Sequence, residues 1–236
     1  MTAPLNLTTI RENERQSHIA IYSKYSLFAE GSWLKNPVKT VLELFPILDD
    51  REDLHILDLG CGVGRNALPA ASYFKNKRCI IDCVDLLDIA ISKLVDYTDQ
   101  YGFSNSIKPI MSSIDDFTIE TQGYDLIMAI SALEHVDSEA AFFTKLAEIQ
   151  NGIRQKGIVC LIVNTSIIEI DIQTGLSMPP QFEVNLPTAS LQNALSNVFS
   201  NWNILKNTIQ EQHYDIPRCN TVHHLTSNVV TFVAQK

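Results

Sequence analysis

From residue 54 onward, apolar and polar positions fall into alternating short blocks. Leu54–Leu59, Cys79–Val84, Lys108–Met111, Tyr124–Ile130 and Gly157–Val163 are short apolar runs bounded by turn-forming residues, and they read as strands. Between them, 65–74, 88–101 and Ser138–Gln150 carry helical spacing, with Asp88 as the N-cap of the second helix. Strand and helix in regular alternation predict a parallel sheet covered by helices on both faces.

The flanking segments follow other rhythms. Gln16–Leu48 reads as helical, with Tyr22, Tyr25, Phe28 and Trp33 before Pro37, which opens a second apolar-periodic helix over Val38–Phe45. Pro46 and the acidic run Asp49–Asp53 then mark a turn, so 1–50 is expected to cap an α/β core over 51–236 within a single domain. Beyond Val163, the stretch Thr165–Pro187 contains Gly175, Pro179, Pro180 and Pro187 and shows no clean helix. A helix over Thr188–Phe199, a strand over Trp202–Gln212, a loop containing Pro217 and a last strand over Val229–Ala234 complete the reading.

The densest chemical signal is Ile56-Leu57-Asp58-Leu59-Gly60-Cys61-Gly62-Val63-Gly64-Arg65-Asn66-Ala67, an apolar strand running through three alternate glycines into a helix start. Such a turn brings bare backbone against a nucleotide-like ligand. No lysine followed by a hydroxyl residue stands where a triphosphate-cradling loop needs them. The small third residue of a dinucleotide fingerprint is replaced by Arg65, which argues against NAD and FAD. Downstream, the second strand ends in Asp85, where an ionised carboxylate can accept from both hydroxyls of a ribose. Asp82 lies inside that strand and Asp88 has a capping position, so Asp85 is the ribose candidate.

Asp58-Leu-Gly-Cys-Gly-Val-Gly-Arg-Asn followed by Asp85 resembles the cofactor site of class I S-adenosylmethionine-dependent methyltransferases. The Gly-x-Gly-Arg-Asn run and Tyr124-Asp125-Leu126-Ile127 are most similar to the small tellurite-resistance-type enzymes, and the motif-bearing match covers about Asp53 to Val163. The resemblance implies a Rossmann-like three-layer αβα sandwich. Its seven-stranded, mostly parallel sheet would have an antiparallel last strand, completed by a terminal hairpin. It also implies S-adenosyl-L-methionine as cofactor, held by Asp58, Gly60, Cys61, Gly62, Arg65, Asn66, Asp85, Leu86, Ser113, Ile114 and Ile130. Arg65 has two readings of equal weight, a partner for the cofactor carboxylate or a structurally paired side chain. Ser113 stands where the family often has an aspartate that reads adenine, a departure that leaves Asp115 as the alternative reader.

Glu134 and His135 follow the fourth strand at the carboxyl edge of the sheet, where open α/β folds place ligands. They are the candidate acid/base pair for catalysis, and the competing reading is that they order the loop. Tyr22, Tyr25, Phe28 and Trp33 could cover a sulfonium by cation–π contact, although helical spacing favours a core role. His213, His223 and His224 suggest metal ligation, but adjacent histidines on one strand or loop point to opposite sides and no convincing third ligand is visible, so no metal is expected.

Composition narrows the partners. The chain has 236 residues, 45% hydrophobic and 19% charged, within reach of one hydrophobic core. Net charge is −9, and Lys75, Lys77 and Arg78 form the only compact basic cluster, which disfavours nucleic acid. Five cysteines without a Cys-x-x-Cys pair fit reduced thiols, and the N-terminus shows neither a signal peptide nor a membrane span; the expected compartment is the cytoplasm. The expected enzyme therefore methylates an unidentified, small-molecule acceptor, without nucleic acid or membrane as partner. The alternatives are a catalytically inactive sensor or scaffold that binds the cofactor, and a nucleotide-dependent oxidoreductase, which Arg65 disfavours. Oligomeric state is not legible.

Overall fold

The computed structural model describes residues 7–218 and 221–236. Five strands run parallel: β1 (Asp53–Leu59), β2 (Arg78–Asp85), β3 (Ile107–Met111), β4 (Tyr124–Ile130) and β5 (Ile153–Asp171). With β7 (Asn203–Arg218) and β8 (Thr221–Gln235) they take the order β3-β2-β1-β4-β5-β8-β7, and the short β6 (Ser177–Met178) pairs with the outer end of β5 as an eighth strand. β8 lies antiparallel to both of its neighbours, as the resemblance implied. The strand order reverses between β1 and β4, and the carboxyl ends there form the crevice at which open α/β sheets bind ligands.

Successive side chains on a strand point to opposite faces, and that alternation makes the three layers. Ile56, Leu126, Met128, Ile158 and Cys160 pack with Val41 of α2 (Lys39–Leu44), Ala67 and Ala70 of α3 (Ala67–Tyr73) and Leu94 of α4 (Asp88–Tyr101). Their neighbours Leu57, Ile127, Ala129, Val159 and Leu161 pack on the opposite side with Phe142 and Leu146 of α5 (Glu139–Gly152) and Leu191 and Leu195 of α6 (Thr188–Val198). Every residue of β4 is buried, as a central parallel strand covered on both faces requires. Cys61, Cys79, Cys83 and Cys160 are free and buried, while Cys219 lies outside the described residues. Among the described residues, no helix is long and apolar enough to cross a membrane.

The termini of the chain depart from the sequence reading. The lead-in helix α1 (Leu7–Lys24) starts earlier than expected and stops at Lys24. Phe28 then takes φ +65° and Gly31 φ +97°, and the Leu27 N–H donates to the Tyr97 hydroxyl at 2.9 Å, which ties the chain down outside a helix. Asp88 is the first residue of α4, whose N-cap is Leu87; the Asp88 carboxylate accepts from the Ile89 N–H at 2.9 Å and still places negative charge on the first turn.

The larger departure is an arm. β5 continues past Val163 to Asp171, and β7 and β8 accompany it as a three-stranded antiparallel extension. Here the hydrophobic pattern is inverted, because Glu169 and Asp171 face inward while Ile168 and Ile170 are exposed. Glu169 accepts from Arg218 Nε at 2.9 Å and lies 2.6 Å from His223 Nδ1, so its buried charge is paired. Pro217, expected in a loop, sits in β7, an edge strand on which its missing N–H leaves no ladder bond unmade on the open side.

At the amino end of the sheet, the Asp125 carboxylate clamps three segments. It pairs with Arg51, accepts from Arg154 Nη1 at 2.9 Å and accepts from the His55 N–H at 2.8 Å. Asp125→Ala is expected to lower unfolding stability by about 3–5 kcal/mol, because two guanidinium groups and a strand N–H lose their acceptor. Urea denaturation of the variant measures this.

Candidate functional site

β1 ends in Asp58 and Leu59, and the chain then turns sharply at Gly60. The N–H groups of Gly60 and Cys61 both donate to the Val84 carbonyl, at 2.8 and 3.0 Å, which folds the turn over the end of β2. Gly60 has φ +71°, and a Cβ there would lie 2.4 Å from the Ala132 Cβ, so only glycine lets the turn pass the loop after β4. Asp85 closes the other side. One oxygen accepts from the Gly62 N–H at 2.8 Å and the other from the Leu87 N–H at 2.9 Å, joining the glycine turn to the start of α4. Burial pushes the Asp85 carboxyl up, and those two backbone donors pull it back.

Asp58 is in a different state. Its side chain is 1% exposed, and its Oδ2 has no hydrogen-bond partner. Burial raises its pKa to about 7, with Arg65 opposing and Asp85 adding to the shift. A buried carboxylate with an unmet lone pair calls for a cationic donor, which the ammonium of an amino-acid moiety supplies. The turn beside it admits close backbone approach, and Leu86 and Met111, 50% and 66% exposed, offer apolar surface beyond it. These residues fit a cofactor that joins an amino acid to a nucleoside.

The cap completes the wall. Tyr22 of α1 hangs over the turn, its hydroxyl 3.0 Å from where a Gly62 Cβ would stand and 3.0 Å from His18 Nδ1. Arg65 donates to the Trp33 carbonyl at 3.0 Å and lies over the Trp33 ring, 4.9 Å from its centroid; burial lowers its pKa. Asn66 is buried and accepts from the Val38 N–H at 3.0 Å, which locks the cap to the helix start. The Ser113 hydroxyl donates to Asp116 at 2.8 Å and accepts from the Asp116 N–H, while Ile114 approaches Gly60 and Ile130 is buried at the end of β4. An open cleft of about 560 Å³ between α1 and the start of α4 is lined by Arg11, Arg15, Leu86 and Asp88 among others.

Glu134 and His135 point to different partners. Glu134 is 1% exposed, and its Oε1 accepts from the Asn164 backbone and side-chain amides at 3.1 and 2.6 Å. Its Oε2 has no partner, and burial raises its pKa. His135 Nδ1 lies 2.9 Å from Glu183 and 3.1 Å from Glu14. Burial would lower the His135 pKa, yet hydrogen bonds to Glu14 and Glu183 outweigh it and hold the imidazole well above its usual range.

The remaining histidines do not converge as one cluster. His223 belongs to the Glu169 network, and His224 pairs with Asp215 at 2.7 Å and stacks on His213. Sequence reasoning missed Glu14, His18 and Glu183. Glu14, His18 and Tyr22 at spacings of four form a stripe on one helix face that was legible in principle. Glu183 lies in an irregular segment that carried no signal.

Comparison with known proteins agrees with this geometry. Residues 56–157 match the methyltransferase domain family. No curated protein matches the chain. Among solved structures, TehB from Haemophilus influenzae superposes with TM-score 0.61 at 16% identity, over 84% of this chain and 62% of that one, so this chain spans less than two thirds of that protein's length. The 1,6-didemethyltoxoflavin-N1-methyltransferase of Burkholderia thailandensis, with bound 1,6-didemethyltoxoflavin and S-adenosylhomocysteine, aligns with 100% of this chain and 93% of its own, at TM-score 0.55 and 16% identity. A geranyl diphosphate methyltransferase in complex with SAM aligns over 83% and 84% of the two chains, at TM-score 0.55 and 12% identity. Residues 56–157 thus match the methyltransferase domain model, and the likeness of the chain to these solved structures is one of fold.

Asp58 generates a signed pH effect. Its native carboxyl holds a proton up to about 7 against an ordinary 3.8, so the native state binds more protons across that window. Its contribution to stability is therefore full below the ordinary value and lost as pH rises through the native one. Denaturant melts across this range should show Asp58→Asn losing that part of the decline; equal slopes in the two proteins would assign it elsewhere.

Proposed function

We propose that this chain transfers the methyl group of S-adenosylmethionine to a small-molecule acceptor held beneath α1, beside the turn after β4. The observation that carries the reading is the buried Asp58 carboxylate, whose Oδ2 has no hydrogen-bond partner, next to a glycine turn tied to Asp85. Asp58 takes the ammonium of the methionine moiety, and the backbone of Gly60, Cys61 and Gly62 lies along it. Arg65 keeps N–H groups for the carboxylate and Asn66 holds the helix start in place. Asp85 retains lone pairs for the ribose hydroxyls beyond its two backbone bonds. Leu86 and Ile114 contact adenine and Ile130 walls the reacting end. Ser113 is engaged with Asp116 through both donation and acceptance, which favours Asp115 as the adenine reader.

The cofactor supplies an activated methyl group that passes by direct in-line displacement, so the protein's task is alignment in a water-poor pocket. Glu134 is the group assigned to the acceptor, because its Oε2 is buried without a donor and an acceptor's O–H or N–H would satisfy it. His135 is engaged by two carboxylates and positions the turn instead. Nothing in the site favours an inactive sensor over an enzyme. The reduced, buried thiols support action in the cytoplasm.

Calorimetric titration with S-adenosylmethionine and S-adenosylhomocysteine tests the cofactor assignment. Asp85→Asn should weaken binding by about ten- to a hundredfold, roughly 1.4–2.8 kcal/mol; a folded wild type that binds neither compound overturns the reading. Once an acceptor is found by screening, Glu134→Gln should lower kcat by about a hundredfold or more while leaving cofactor affinity within about twofold. Steady-state kinetics beside the same titration separate the two effects.

A further inference from the structure

Glu14 of α1, His135 in the turn after β4 and Glu183 in the 172–187 segment come from three unconnected parts of the chain and bring their donor atoms within 4.8 Å of one another. His135 Nδ1 faces Glu183 Oε2 at 2.9 Å and Glu14 Oε2 at 3.1 Å. A nitrogen can carry one proton here, and two carboxylate oxygens compete for it. The arrangement is one donor short as a hydrogen-bonded cluster, whereas with the imidazole proton on Nε2 every member has a lone pair to offer to a cation.

The spacing suits a metal ion. Ligands about 2.1 Å from a divalent first-row ion and at right angles to each other are about 3.0 Å apart, and a tetrahedral pair is about 3.4 Å apart. The two separations from Nδ1 match the right-angled case, and the third, between the two carboxylates, lies within 4.8 Å, within reach of three ligands on one face of an octahedron. Cationic or aromatic groups stand behind each ligand. The second oxygen of Glu14 faces His18 Nε2 at 3.6 Å, and that of Glu183 faces Arg11 Nε at 3.5 Å. The His135 ring stacks on Phe182 with centroids 5.4 Å apart. Two carboxylates and a neutral imidazole carry a charge of −2, which Arg11, paired with Asp137 as well as near Glu183, offsets only in part, leaving negative charge for a dication to balance.

We propose that Glu14, His135 and Glu183 form a facial binding site for a divalent first-row transition ion, with its remaining positions open to water or to oxygen donors. One nitrogen and two carboxylate ligands favour manganese, iron or cobalt over softer, thiolate-preferring ions. The ion ties α1 to the turn after β4 and to the 172–187 segment. This goes beyond the methyl-transfer reading and does not depend on it, since the ligands are distinct from the groups assigned to the cofactor.

The test uses the full chain, stripped with a chelator and free of cofactor, titrated with cobalt(II) and manganese(II) chlorides. Native mass spectrometry should count one ion per chain, cobalt absorption should show the weak bands of a six-coordinate ion, and added manganese should raise the Tm. Glu14→Gln, on the partly exposed helix, and Glu183→Gln should each weaken binding at least tenfold and abolish the rise in Tm. Circular dichroism selects the variants that remain folded, and Glu14→Gln keeps the test open if Glu183→Gln does not fold. Nitrogen coupling in the resonance of bound manganese should vanish in His135→Gln. A folded wild type that takes up no stoichiometric ion, or uptake unchanged in a folded Glu14→Gln variant, would overturn the site and leave a proton-bridged ion pair. Because the titration contains no S-adenosylmethionine, its failure stays distinct from a failure of the cofactor reading.

Discussion

The Asp85 carboxylate is the joint on which the site depends. By accepting from the Gly62 and Leu87 N–H groups, one side chain binds the turn after β1 to the start of α4, at the point where the strand order reverses. A parallel sheet with both faces covered can expose polar chemistry only at its strand ends. The turn must therefore be tight enough to leave room there and rigid enough to hold backbone N–H groups in place. Gly60 provides the tightness, since its missing side chain lets the turn touch Ala132, and Asp85 provides the rigidity.

Around this joint the protein places two buried carboxylate oxygens without internal partners, one on Asp58 and one on Glu134. Folding alone would remove such groups, because each costs stability when left unmet. One comes from β1 and the other from the turn after β4. The cap adds Tyr22 over the glycine turn and a line of charged α1 side chains, including Arg11 to Glu183 and Arg15 to Asp88, that fasten the helix across the strand ends. The entrance is thereby shaped by ion pairs between distant segments, while the floor is shaped by local backbone geometry.

The two buried-charge networks show why pattern reading has limits. In the β5–β7–β8 arm, Glu169 and His223 occupy inward positions and Ile168 and Ile170 outward ones, so a rule that sends apolar residues inside predicts an irregular segment. The strands form because Arg218 and His223 pair the charge on Glu169, and that pairing exists only once β7 and β8 have come alongside. Asp125 repeats the logic at the other edge, where Arg51 and Arg154 arrive from either side of it in sequence.

The sequence by itself determined the alternating α/β core and the position of the glycine turn, with Asp58 before it and Asp85 at the end of the second strand. These follow from short-range rules: the two-residue period of strands, the helical period of their crossovers and the freedom of glycine to take positive φ. It did not determine the arm, the early start of α1, the engagement of Arg65 with Trp33, or the meeting of Glu14, His135 and Glu183. Those depend on side chains far apart in the chain, whose approach is set by the packing of complete elements and by the pairing of buried charge. Only the tertiary structure decides which of many separated polar residues become neighbours, because no local period records it.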